Sequence, residues 1–343
     1  GVLLASCKKD FTPKDGSKGS FDRATRASVD IDPRNFSGQP TATIPNTITG
    51  SYTLTAGTTW LLDGPTYVSP TGVLTIEAGV LVKGLKNSTS GDPSYLVVTA
   101  GGQLIADGVD PSTSIVFTSD QTGGTAAPGD WGGIILLGNA QTNNFPAQIE
   151  GIDPTEIPSG YSIQYGSSGT SGNTSSAGTL RYVRIEFAGR DLLQGQGNEI
   201  NSLTLGGVGS GTVISHVMAT YSFDDAFEFF GGTVNADHLV SAYTSDDDFD
   251  FDNGYVGTIE YGVSVRNADV VLTSDPNGIE ADNDVNSSSN TPNTRPTLRY
   301  FTILGTETET AGLLYGNRWR RNSSLDIQYS IVAGYDEAGV IFD

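Results

Sequence analysis

Residues 211–254 read "GTVISHVMATYSFDDAFEFFGGTVNADHLVSAYTSDDDFDFDNG", and one pattern occurs in them twice, 22 residues apart. "DDAFEFFGG" (224–232) lies over "DDDFDFDNG" (246–254), with Phe227 over Phe249 and Phe229 over Phe251. Phe and acid alternate in both copies. Successive residues of a strand face opposite sides, so the four phenylalanines share one face. Glu228 and Asp250 share the other. The aromatic face reads as core and the acidic one as an outward ladder.

The repeat extends in both directions. "GTLRYVRIEFAG" (178–189), "GTVISHVMATYS" (211–222), "NADHLVSAYTS" (235–245), "GTIEYGVSVRN" (257–267), "PTLRYFTILG" (296–305) and "SLDIQYSIVAG" (324–334) form a second family of segments. Aligned, they put Tyr182, His216, His238, Tyr261, Tyr300 and Gln328 in one column, at spacings of 34, 22, 23, 39 and 28. A base period with variable excess marks a solenoid whose insertions are confined to loops. "SLTLGG" (202–207) and "GIEADND" (278–284) join the acid-ladder family, with Leu203 and Ile279 in the Phe227 column and Glu280 beside Asp250. Each unit therefore carries at least two strands, and no helical period stands out. The expected fold class is all-β: a right-handed parallel β-helix of roughly ten coils, occupying residues 46–343.

Composition agrees. The 44 glycines suit short strands joined by tight turns. A net charge of -21 repels nucleic acid and anionic lipid and leaves divalent cations as the natural counter-species. No stretch is apolar enough to cross a bilayer. The single cysteine, Cys7, ends "GVLLASC". The reading is a bacterial lipobox: residues 1–6 as the remnant of a signal peptide, Cys7 as the lipidated residue, and 7–45 as a flexible linker. Both ends read as truncated. This places the protein on the outer membrane, at the cell surface or the periplasmic face, touching membrane only through its lipid.

Neighbouring coils lie about 4.8 Å apart, so two stacked carboxylates repel by roughly 3.5 kcal/mol at an effective dielectric of 20. Such a ladder must share protons or hold a cation. Calcium, which takes six to eight hard oxygen ligands in flexible geometry, suits a site built from Asp224, Asp225, Glu228, Asp246, Asp247, Asp250 and Glu280. The competing reading is a solvated acidic face. "DFDFDNG" is not an EF-hand loop, because its glycine is one place late and Ile259 occupies the twelfth position. Paired acids such as Asp225 and Asp247 also suit glycoside hydrolysis. Elimination from acidic sugars needs a base, and the acidic columns hold no basic residue. His216 and His238 stack as a polar ladder or, alternatively, a metal pair. Trp131, in "GDWGGIILLG", is expected to cover neighbouring glycines. Trp319, with Arg318 and Arg320 in "YGNRWRRNSS", is expected to be exposed and to bind a ligand.

Seven segments together resemble a group of Bacteroidota exported lipoproteins with right-handed β-helices: "LTIEAGVLVKG", "IVFTSD", "GDWGGIILLG", "LRYVRIEFAG", "NEINSLTLGGVGSGT", "DDAFEFFGGTVNADHLV" and "DDDFDFDNGY". The resemblance implies a cell-envelope lipoprotein and carries over no catalytic residue. The function expected is non-catalytic: a calcium-stabilised β-helix that binds glycan or serves as an adhesin or scaffold for an envelope protein. The alternative is a calcium-assisted polysaccharide lyase or hydrolase acting at the acid face.

Overall fold

The computed structural model describes residues 34–343, apart from 123, 156, 192–198, 274, 307–309 and 311. Cys7 and most of the expected linker lie outside the described residues. The fold is a parallel β-helix. One sheet is a ladder of ten parallel strands, one per coil, from Thr47–Ile48 to Ile341–Phe342. A larger folded sheet of 15 strands supplies the other faces of each coil. The larger sheet opens at Thr41–Thr43, which pairs with Thr59–Leu61. Among the described residues the only helical element is the 3-10 turn Pro111–Thr113, capped by the Asp110 carboxylate.

The coils have three faces where the repeats showed two strands. In early coils two separate strands, such as Val73–Ile76 and Leu81–Gly84, make the larger sheet's two faces. Later they merge into single runs such as Val213–Thr220 and Thr258–Val265. One residue bends each run: Tyr182, His216, His238, Tyr261, Tyr300 and Tyr329 all have φ between 51° and 62°. A one-residue corner leaves no Gly or Pro signal, which is why the third face was not legible. The last member of this column is Tyr329, not Gln328. Arg299 pairs with Gln328 and Leu298 with Ile327, which brings Tyr300 over Tyr329. Left-handed backbone costs a non-glycine residue about 1–2 kcal/mol, and ring stacking returns about 0.5–1.5. The rings run unbroken from Tyr182 to Tyr329, with centroids 4.4, 4.2, 4.8, 5.0 and 5.4 Å apart.

The interior follows the alternation read from the sequence. Phe227, Phe229, Phe249 and Phe251 are fully buried, with Phe227 and Phe249 stacked at 5.4 Å. Trp131 is buried, stacks on Phe117 and donates Nε1–H to the Glu186 carbonyl at 2.9 Å. Any Cβ on Gly84 would meet its ring at 2.6 Å, so Trp131 covers a glycine as expected. One buried ion pair was not anticipated. Asp248 and Arg266, both essentially inaccessible, join at 2.8 Å, and Ser241 and Ser264 donate to the same carboxylate.

Candidate metal centre

The site grows from one outward column of the ten-stranded sheet. Tyr67, Val97, Ile135, Thr204, Glu228, Asp250, Glu280 and Arg318 are in register on successive coils. Its first three members, Tyr67, Val97 and Ile135, are covered by the long excursion between Leu137 and Gly178. Ile149, Ile152, Ile163 and Tyr165 from that excursion pack on Tyr67, Val97, Ile135 and Phe230. The same excursion also borders the acidic half, where Glu150 lines the opening and Asn143 donates to Asn283 on the Glu280 coil. The ladder therefore opens into a cleft of about 250 Å³ rather than onto a flat solvated face.

All seven residues assigned to the metal line this cleft. Donor oxygens of Asp224, Asp225 and Asp246 lie within 4.8 Å of one another, as do those of Asp225, Glu228 and Asp250, and those of Asp247, Asp250 and Glu280. Backbone and amide donors fix the ligands. Asp225 Oδ1 accepts from the Asp247 N–H at 2.9 Å, and Asp247 Oδ1 from the Asn277 N–H at 2.5 Å. The Asn201 side-chain amide donates to Glu228 and that of Asn277 to Glu280, the latter at 3.0 Å. Asp250 Oδ1 is buried with no hydrogen-bond partner among the described residues.

Burial first, then the neighbouring acids, pushes the carboxyls of Asp224, Asp225, Glu228 and Asp247 well above their ordinary values. Burial also raises Asp250 to about 7 and Glu280 to about 9, with nearby Asp282 and Asp250 respectively adding to the effect. Without a cation, the cleft must carry protons at neutral pH. Among the described residues the candidate ligand atoms that converge there are carboxylate oxygens, the hard donors that calcium prefers, so these residues fit such an ion.

The coil stack and its lined cleft coincide with the span of a single family model. A model described as a pectate-lyase-like beta helix domain matches residues 46–342. The chain belongs to that family. No curated protein and no solved structure matches it.

In this pectate-lyase-like β-helix the arginine–tryptophan cluster is divided between two environments. Trp319 is only 2% exposed and cannot offer a stacking surface, which corrects the expected exposed ligand-binding ring. It pairs in register with Ala281, below Phe251. Since Arg318 and Arg320 flank it and point outward, alternation alone sends it inward, where it fills the space Ala281 leaves. Arg318 pairs with Asp275 and, at 2.9 Å, with Asp343. Arg320 reaches back into the cleft, donating to Glu280 and to Asp282 at 2.9 Å. The acidic columns thus do hold a base type, contrary to expectation. It lies in the coil after the last aligned acid and is already committed to three carboxylates, Glu280, Asp282 and, at 3.5 Å, Asp275.

The sequence reading missed Glu150, Glu199 and Asp275, which also line the cleft. Glu150 and Glu199 come from outside the repeats and Asp275 from the loop before Asn277–Ala281, so no column could have flagged them. Burial raises Glu150 to about 8, followed by the charges of Asp252 and Glu199.

Proposed function

We propose that the acid cleft binds calcium, and that the bound ion serves a non-catalytic β-helix that holds a glycan at the cell envelope. The observation that carries this reading is the orphaned, buried Oδ1 of Asp250 amid carboxylates raised by burial and mutual repulsion. When bound, the ion would supply positive charge to a face that otherwise repels anions. Asp225, Asp247, Asp250 and Glu280 would hold it, with Asn201 and Asn277 orienting Glu228 and Glu280. With one oxygen from each of these four carboxylates, two to four of the six to eight positions calcium takes stay open. Hydroxyl or carboxylate oxygens of a sugar polymer complete the shell in this reading, and the regular coil stack offers an extended surface for such a polymer.

Membership of the pectate-lyase-like family supports a polysaccharide-facing role without fixing one. The lipobox-like "LLASC" supports lipidation at Cys7, and with it an outer-membrane location. Titration calorimetry with calcium tests the site, comparing the protein with a triple variant carrying Asp247→Asn, Asp250→Asn and Glu280→Gln. Saturable binding lost in the variant supports it, and equal heats in both reject it. A glycan panel read with calcium and with chelator then tests the ligand. Release of reducing ends or unsaturated sugars, stopped by Asp247→Asn, would replace the non-catalytic reading with the hydrolase or lyase one.

A further inference from the structure

A second cluster lies on the larger sheet, away from the acid cleft. Ser215 and Asp237 are in register on adjacent coils, and His216 and His238 follow them at the left-handed corner. The imidazoles stack at 4.2 Å and are 9° from parallel. Both present Nδ1 to the same carboxylate oxygen. Asp237 Oδ1 is 2.6 Å from His238 Nδ1 and 3.8 Å from His216 Nδ1. Ser215 Oγ lies 2.6 Å from that oxygen and 2.8 Å from His216 Nδ1. Two nitrogens and one carboxylate oxygen therefore fall within 4.8 Å of one another. The side chains are 37%, 43% and 47% exposed for His216, Asp237 and His238, so an ion can reach them from solvent.

The neighbours in this column explain why the cluster is open. Arg181, one coil before Ser215, is held by Asp107 through two hydrogen bonds at 2.6 and 2.8 Å. Glu260, one coil after Asp237, is held by Arg299 at 3.3 Å. The guanidinium on either side is engaged elsewhere, and the ion-pair partners of Asp237 among the described residues are the two imidazoles.

We propose that His216, Asp237 and His238 form a surface site for a divalent first-row transition ion, zinc or copper. A nitrogen-rich donor set selects these ions over calcium and magnesium. An ion about 2 Å from each donor replaces the proton shared by His238 and Asp237. The exposed rings tilt to converge on it, and the fixed coil register holds their spacing. Ser215 steers Asp237 toward the nitrogens.

The test is a copper titration of the full chain purified without a histidine tag, followed by electron paramagnetic resonance in excess calcium. The chain contains two histidines, so any imidazole hyperfine pattern reports this pair. One equivalent of copper showing two coupled imidazole nitrogens is the expected result. His238→Asn should leave one coupled nitrogen and weaken binding by about tenfold or more, and Asp237→Asn should weaken it with both nitrogens retained. Copper bound without nitrogen coupling, or equally tightly by a His216→Asn/His238→Asn variant of unchanged melting temperature, overturns the proposal.

Discussion

Glu280 faces Arg318 in register on the next coil, yet the guanidinium that reaches Glu280 is that of Arg320. Arg318 turns aside to Asp275 and Asp343. The acid ladder is thus closed at one end by a cation, while Asp250 in its middle keeps an oxygen with no hydrogen-bond partner among the described residues.

The first consequence concerns pH. The cleft carboxyls have folded pKa values above their unfolded ones, so the folded state binds more protons. Stability then falls as pH rises from about 4, the unfolded value, towards 7–9, the folded values of Asp250 and Glu280. In chelator, the melting temperature is expected to drop steadily between pH 5 and pH 8, a loss on the order of several kcal/mol. Calcium should flatten the decline, since an ion replaces the protons. A pH-independent melting temperature in chelator would show that the acids are solvated and ordinary.

Arg320 is the cationic residue lining the cleft among the described residues. Arg320→Gln removes a positive charge that competes with any bound ion. Calcium affinity is expected to rise by on the order of tenfold, while stability in chelator falls. Calorimetry and melting curves on the variant check both. Weaker calcium binding would mean that Arg320 shapes the ligands rather than opposing the ion.

Trp319 fills the core across from Ala281. Trp319→Ala should cost about 3–5 kcal/mol through the cavity it leaves. Trp319→Phe should cost far less, because the buried indole N–H has no hydrogen-bond partner among the described residues to lose. Neither should alter glycan binding per folded molecule. A selective loss of binding in Trp319→Phe, measured at equal folded fraction, would restore the ligand-facing role.

Tyr261 occupies a left-handed corner at φ 62° between stacked rings of His238 and Tyr300. Removing the ring loses stacking in any variant, but only glycine also relieves the backbone. Tyr261→Gly is therefore expected to be more stable than Tyr261→Ala by about 1 kcal/mol. Chemical denaturation of the two variants decides the point. The reverse order would mean that the corner carries no strain.

By itself the sequence determined the coil. Period-2 alternation sends Phe227, Phe229, Phe249 and Phe251 to one side, and the 22-residue echo stacks them, because parallel in-register strands repeat side-chain direction from coil to coil. The same alternation placed Glu228, Asp250 and Glu280 in one outward column. Tertiary structure decided what that column faces. The excursion after Leu137 covers Tyr67, Val97 and Ile135 and then borders the acids, so an outward ladder became a cleft with shifted protonation. Glu150 and Glu199 enter it from segments with no period, and no local pattern encodes where such a segment comes to rest. Alternation alone separates Trp319 from Arg318 and Arg320, and the tertiary structure adds the register that puts the indole over the small Ala281.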